Sequence, residues 1–470
     1  MNTSTLCGGP AFSPAGNGSA RLPALLLIAL AACQAAPADP AAEAAIGKAT
    51  GITDAVLFRQ QGGPLDEPAA ATERLTLAAA ARSAITTDPS LQAALARVRI
   101  ALADADQARL LPNPILDLAL RFGQGKPKID ATLSAGIVQL LQRPRRTRAA
   151  DQRLRQAAAD AVTAALDVLA EVQGTYAAAQ ASDQLLPLLT NRLFLLGQLV
   201  ELARLRARSG EGAAADVITL DAQRVELEVE VAAAHLEQRD NRLHLARLVG
   251  EPSAAAVWPL EPWQAPPAVA DRDESGCIQS GLARRPEVQS AVWQLAALDD
   301  DPALSPLSPL LDASLGAAAQ RDGDWTVGPA LSSPLPLFDT GAAQRARVTA
   351  AQIEARHDLT AVRRKVVEEV RLAWQALADN LTNLARVQQQ LVPLQQQRRE
   401  VAEFSYRAGQ TDVTALLLAE QDLRQAQVKA IETERQTTLA MVRLQRAVGG
   451  PGAFAAGAPE SAAEPVRRND

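Results

Sequence analysis

Two turn glycines stand at a fixed separation, and the same separation relates much of the chain that precedes them. Gly212 is followed by Ala213-Ala214-Ala215-Asp216-Val217, and Gly409 sits within Tyr406-Arg407-Ala408-Gly409-Gln410-Thr411-Asp412-Val413. Subtracting 212 from 409 gives an offset of 197. At that offset Pro89 falls on Pro286, Pro112 on Pro309, Leu140 on Leu337, Arg148-Ala149 on Arg345-Ala346, and Ala222 on Ala419. Chance gives one or two matches in a chain rich in Ala, Leu and Arg. Two prolines and a turn glycine are a stronger coincidence, because each marks a backbone break. A repeat of about two hundred residues is a duplicated domain half and not a short solenoid unit.

The first half reads in order as follows. Leu75 to Ala108 is helical in pattern, with a restart at Asp88-Pro89, a capping residue followed by proline at the first helical position. Leu111-Pro112-Asn113-Pro114 forces an extended segment. Leu116, Leu118, Leu120 and Phe122 then alternate with Asp117, Ala119 and Arg121, the period of a strand. After a loop at Gly123 to Asp130 a second strand is expected, with Ala131, Leu133, Ala135 and Ile137 opposite Thr132, Ser134, Gly136 and Val138. From about Arg145 to Arg208 the pattern is helical without a stop, roughly 95 Å at ~1.5 Å per residue. A helix that long indicates a coiled coil or helical barrel. Pro187 inside it predicts a kink or a break in its ladder. Asp216 to Leu248 returns as an antiparallel helix.

The second half repeats the scheme after a Pro/Asp connector at Pro262 to Asp273. One strand is expected with Leu311, Ala313, Leu315 and Ala317 on one face, and another with Trp325, Val327, Pro329 and Leu331. A long helix from Ala342 to Ala408 with an internal Pro393 follows, then a return over Asp412 to Val448.

Composition fits this plan. Hydrophobic residues make up 48% of the 470 residues but aromatics only 3%, so the apolar mass is Ala, Leu and Val, suited to thin helix–helix seams. The net charge of −6 implies no polyanion surface and hence no nucleic acid. Cys7, Cys33 and Cys277 make neither a disulfide framework nor a zinc spacing, and three histidines and two methionines leave no metal cluster. No nucleophile–base pair, phosphate loop or carboxylate dyad calls for an enzyme or a cofactor.

At the amino terminus Arg21 precedes the apolar run Leu22 to Ala32, which reads as a secretory signal too short to span a bilayer. Leu30-Ala31-Ala32-Cys33 resembles the lipobox of bacterial lipoproteins. The resemblance implies cleavage before Cys33 and its acylation, for instance with palmitate, with Gln34 favouring outer-membrane sorting. An ordinary signal peptide with a chance cysteine is the alternative. Residues 34–70, rich in Ala and Pro, look like a tether and not a packed element.

Four strands with one apolar and one small-polar face cannot close a barrel, and an open sheet edge is not tolerated in lipid. Apolar-out, polar-in alternation marks an outer-membrane strand. The chain must then pool strands with copies of itself, and three copies give twelve. A soluble four-stranded sheet packed on helices is the competing reading.

Leu75-Thr76-Leu77, Asp88-Pro89-Ser90-Leu91, Gln107 to Pro114, Pro336-Leu337-Phe338-Asp339-Thr340-Gly341 and Tyr406-Arg407-Ala408-Gly409 with Ala419-Glu420-Gln421 together resemble outer-membrane efflux proteins of the TolC type. The resemblance covers roughly residues 73–450. It implies a mostly α fold with a small β part. It implies a homotrimer with a 12-stranded β-barrel in outer-membrane lipid, continued by a long periplasmic α-helical barrel. It also implies docking to a periplasmic adaptor and an inner-membrane pump of the RND class. The expected divisions are a signal peptide at 1–32, a lipid-anchored linker at 33–72, efflux-protein repeats at 73–265 and 266–450, and a disordered tail at 451–470. Gly212, Tyr406, Arg407, Gly409 and Asp412 become candidates for the periplasmic tip and adaptor docking, with a plain turn and N-cap as the alternative. The family's acidic entrance residues fall here on Ile218, Ala415 and Leu418. Only Asp221 carries over, with Asp216 nearer the tip, as the candidate entrance gate. The expected function is passive conduction in a tripartite efflux pump. A lipid-anchored coiled-coil scaffold without a pore, or the exit duct of a type I polypeptide secretion system, are the other readings.

Overall fold

The computed structural model describes residues 40–52, 58–59, 74–122, 127–210, 214–250, 256–263, 273–322, 324–408 and 410–455. All lie in the second of the chain's two units, Ala38–Asp470. The signal segment, Cys33, Gly212 and Gly409 fall outside the described residues.

Local chemistry sets the helix starts. α2 (Leu77–Thr87) begins where the Thr76 side chain accepts the Ala79 N–H. Asp88 ends it and starts α3 (Pro89–Arg109), its carboxylate accepting from the Ser90 and Leu91 N–H groups. Then come β1 (Ile115–Arg121), β2 (Lys128–Gly136), α4 (Ile137–Ser209) and α5 (Ala214–Val249). The second half gives α6 (Glu274–Arg284), α7 (Pro286–Asp299), β3 (Ser314–Asp322), β4 (Asp324–Ser332), α8 (Ala342–Arg386), α9 (Val392–Arg407) and α10 (Val413–Ala447). α6 starts and ends 197 residues after α2.

Several boundaries differ from the sequence expectation. Ile137 and Val138 open α4 and do not extend β2, and Leu311 and Ala313 precede β3, behind a 3-10 turn at Ser308–Leu310. Alternating apolar residues fit the first turn of a helix as well as a strand, and proline-rich 305–310 breaks the backbone first. α4 runs through Pro144 and Pro187 for 73 residues, roughly 110 Å at ~1.5 Å per residue. In the second half Pro393 does interrupt the helix. The ladder widens into a π turn at Val387–Leu391, where the Val392 N–H reaches back to the Val387 carbonyl. The tether expected over residues 34–70 is not unpacked throughout. Pro40–Thr50 forms α1, with Ala42 and Ile46 buried against α4. The tail expected at 451–470 likewise begins with a short helix, α11 (Pro451–Ala455). In α1 the few buried apolar side chains fall on one helical face, a pattern that composition alone hides.

The four strands form one antiparallel sheet in the order β1-β2-β3-β4. Leu116 pairs with Leu133, Leu133 with Ala317, and Ala317 with Pro329. Directly paired residues share a face. One face therefore carries Leu116, Leu118, Leu120, Ile129, Leu133, Leu315, Val327 and Leu331, and the other Asp117, Arg121, Asp130, Thr132, Ser134, Gln320 and Thr326. Arg321 stands at the far end of the apolar face beside Trp325, its guanidinium 5.8 Å from the ring centroid. At Gly316 a Cβ would lie 2.0 Å from the Leu133 carbonyl oxygen, so the β2–β3 approach admits only glycine there.

The helices pack as a row. α4 lies between α5 and α10, and α10 packs on α8 and α9. Leu189, Leu196 and Leu199 of α4 bury with Leu227 and Ala234 of α5, and Leu417 and Val428 of α10 pack on them. Charged residues tie the row near its middle. Arg446 (α10) bridges Asp167 of α4 at 2.7 Å and Glu287 of α7 at 2.6 Å. Arg285 joins Glu287 at 3.4 Å and Glu369 of α8 at 2.5 Å. Burial pushes the Glu287 carboxyl up, but Arg446 and Arg285 outweigh it and hold the pKa below the usual range.

The connector between the halves is anchored by Tyr176. Its hydroxyl donates to the Leu75 carbonyl at 2.7 Å and accepts from the Glu261 N–H at 3.0 Å. Burial is the main reason its pKa rises to about 12. The folded pKa lies above the unfolded value of 10.0, so this contribution is complete below about pH 10 and is lost as pH rises toward about 12. Tyr176→Phe orphans two half-buried backbone groups and should cost about 1–3 kcal/mol. Thermal unfolding of the variant should also lack the wild type's extra decline between about pH 10 and 12; equal stability and equal alkaline profiles would remove Tyr176 from the anchor.

Candidate functional site

The helical hairpins end in two turns. α4 stops at Gly210, whose backbone is left-handed (φ 81°) and whose N–H caps the Arg206 and Ala207 carbonyls. The capping glycine of the described chain is thus Gly210, two residues before Gly212. At the second turn α9 ends at Arg407, and the Gln410 N–H returns to the Ser405 carbonyl at 2.9 Å. Asp412 occupies the N-cap position of α10.

Asp412 makes no capping hydrogen bond with its side chain, so of the alternative reading only the N-cap position holds. Its carboxylate is taken by Arg206 of the other hairpin, in an ion pair, and by the Thr414 hydroxyl, which donates at 3.0 Å. Arg206 also donates to the Thr414 hydroxyl oxygen at 3.0 Å. A cation in the last turn of α4 and a carboxylate before the first turn of α10 each suit the local helix dipole. The pair therefore links the ends of two hairpins that are separate in sequence.

Asp221 is also committed. Both of its oxygens accept from Arg204 Nη2 at 2.9 Å, and Arg224 lies 3.9 Å away. The Asp221 hydrogen bond raises the Arg204 pKa further, and Glu201 accepts from the same guanidinium at 2.7 Å. A ring of bare carboxylates at this level is not what the structure offers. Asp216 lies exposed in the first turn of α5.

Tyr406 and Arg407 stand apart from these acids, on the wall of a shallow groove of about 460 Å³ between α4 and the α9–α10 hairpin. Arg407 pairs with Glu403, and Arg399 joins Glu403 at 3.0 Å and Glu420 at 2.6 Å. Leu195 and Leu417 line the same groove. The structure thus brings Asp412 to Arg206, sets Tyr406 and Arg407 in one groove, and leaves Asp216 and Asp221 on the α4–α5 side. Sequence reasoning missed Arg204, Arg206 and Thr414. A cluster of arginines in the last turn of a long helix was the available signal.

Residues 277–450 match the family model described as outer membrane efflux protein. The protein CyaE of Bordetella pertussis is 26% identical over 315 residues, 62% of this chain and 66% of that protein. The outer membrane protein VceC of Vibrio cholerae superposes with a TM-score of 0.63 at 19% identity, over 80% of this chain and 96% of that one. The open state of the MtrE outer membrane channel of Neisseria gonorrhoeae superposes with a TM-score of 0.62 at 16% identity, over 84% and 98%.

Partly exposed ion pairs contribute roughly 0.2–1 kcal/mol. Arg206→Ala should therefore raise the population with separated hairpin ends by up to about fivefold. Spin-label distances between positions 208 and 411 would show it as a broadened or second peak. An unchanged distribution would mean that the pair does not hold the ends together.

Proposed function

We propose, for a chain that belongs to the outer membrane efflux protein family, that three copies assemble into one passive duct across the outer membrane and periplasm. The observation that carries this reading is the sheet: one apolar face, one polar face, and unpaired edges at β1 and β4. Backbone groups on an open edge have no partner in lipid. Pairing β4 of one copy with β1 of the next satisfies both edges, and three copies close a twelve-stranded barrel with the polar face inward.

The helix row supports the same closure. Its outer members are α5 on one side and α8–α9 on the other. α5 carries exposed Ile218, Val225, Val229, Leu236 and Leu243, spaced 7, 4, 7 and 7, the pattern of a coiled-coil seam. α9 exposes Leu394, Val401 and Phe404. α5 has seven acidic and four basic residues, and α8 five acidic and eight basic, so the two edges attract.

In this reading the duct belongs to a tripartite efflux pump. A periplasmic adaptor seats at the tips around Gly212, Tyr406, Arg407, Gly409 and Asp412, and an inner-membrane pump of the RND class supplies the energy. Acylated Cys33 anchors the mature chain to the outer membrane. The Arg206–Asp412 pair restrains the entrance, with Asp216 an exposed acid in the first turn of α5.

Reconstitution tests the class. Full-length protein in planar bilayers should give discrete conductance steps from a heat-modifiable trimer. A lipid-anchored scaffold would show neither. Val229→Asp with Leu236→Asp should abolish the trimer in native gels, and a trimer that survives would put the seam elsewhere. Asp221→Ala exposes Arg204 and should weaken cation preference, whereas Arg204→Ala should strengthen it. Equal selectivity in both would take the pair out of the conduction path.

A further inference from the structure

Beneath the apolar sheet face, at the end where the strands join the helices, lies a groove of about 510 Å³ between the end of α3 and the start of α4. Its rim is apolar. Leu110 and Leu111 are 56% and 61% exposed and lead directly into β1. Its wall is polar and carries Asn113, Gln139, Arg146, Asp104 and Arg153, the last of which lies 3.6 Å from Asp301. Arg146 is held from behind. Its Nε donates to the Ala108 carbonyl at 3.2 Å and Nη2 to the Leu110 carbonyl at 3.0 Å. Both acceptors are neutral carbonyls, and a guanidinium has five N–H donors. The arginine is therefore preorganised, with donors to spare and a fixed position.

Other exposed apolar side chains share this level. Leu140 and Leu141 follow β2, and Leu335, Leu337 and Phe338 follow β4, with Phe338 100% exposed. Below them the start of α4 carries Arg143, Arg145 and Arg148 and the start of α8 carries Arg345 and Arg347, together with the acids Asp312 and Asp339. Apolar strands, then a leucine and phenylalanine collar, then arginines is the sequence of layers that a membrane–water interface selects.

We propose that this groove binds the headgroup of a glycerophospholipid of the periplasmic leaflet, with the phosphate at Arg146, a headgroup ammonium at Asp104 and the acyl chains over Leu110 and Leu111. The occupant follows from chemistry and continuity. Only a molecule with a phosphate beside long apolar chains matches an arginine set behind a leucine rim that continues into a lipid-facing sheet. A carboxylate in the same wall selects phosphoethanolamine over a headgroup without a cation. Bound lipid would fasten the end of α3 to the start of α4 and set the height of the barrel in the bilayer. The inference rests on the outer-membrane reading above.

The test uses full-length trimer, delipidated in detergent and titrated in native mass spectrometry with phosphatidylethanolamine, phosphatidylglycerol or inorganic phosphate. Phosphatidylethanolamine should bind about tenfold more tightly than phosphatidylglycerol, consistent with one charge-assisted hydrogen bond. Arg146→Gln should weaken it by about tenfold or more, and Arg146→Lys by less. Asp104→Asn should remove the preference between the two lipids. Because Arg146 also holds α3, Leu111→Asp gives a second route that breaks no backbone bond, and it too should weaken lipid binding. Lipid binding indifferent to all these changes would overturn the proposal. So would inorganic phosphate competing as well as lipid, which makes the groove a free-anion site, or loss of the trimer in Leu111→Asp, which makes it a contact between copies. If no trimer or conductance forms even in the wild type, it is the channel reading that has failed; a conducting trimer that binds no lipid removes the headgroup site alone.

Discussion

An N–H or C=O group left bare in hydrocarbon costs several kcal/mol, and four strands leave two edges of such groups. Most of what is distinctive in this chain answers that constraint. The apolar and polar faces of the sheet mean little in a single copy, where both face solvent. In the proposed barrel they would become lipid and lumen faces, once β1 and β4 find partners. The same holds for the helices. α5 turns one apolar seam toward α4 and leaves another exposed, as a helix must when it has neighbours on both sides.

The middle of the helix row is fixed differently. Asp167, Arg446, Glu287, Arg285 and Glu369 connect α4, α10, α7 and α8. Buried ion pairs of this kind add little net stability over apolar packing, but losing one partner leaves a stranded charge. Their value here is register: a helix with a smooth Ala/Leu surface can slide, whereas one with a paired arginine cannot. At the hairpin ends the Arg206–Asp412 link joins two half-exposed side chains. The row is therefore pinned at its middle and more lightly held at Arg206–Asp412, a distribution that would suit the duct proposed above.

The sequence made some of this legible. Leu116, Leu118 and Leu120 announce a strand by period alone, and Asp88-Pro89 announces a cap and a helix start, because both signals are local. The length of α4 was readable from the absence of stops, but Pro187 pointed to a kink or break and the helix runs through it. What could not be read depends on distant partners. Arg206 and Asp412 lie more than two hundred residues apart, and nothing near either one names the other. Asp221 looked like a free acid because Arg204 reaches it only after the α4–α5 hairpin has formed. α1 was hidden for another reason: its burial rests on Ala42 and Ile46, too few apolar residues to stand out from an Ala-rich linker.

Position 88 is aspartate and caps its helix, whereas position 285 is arginine, caps nothing and instead holds Glu287 and Glu369. An aspartate at 285 would cap α7 but would face two carboxylates. The halves have therefore diverged past interchange, and in the three-chain ring proposed above the hairpin ends would be of two alternating kinds. A partner meeting that proposed ring would find three seats of one chemistry and three of another. It could fill all six only by tolerating both, or it could select one kind and bind as a trimer.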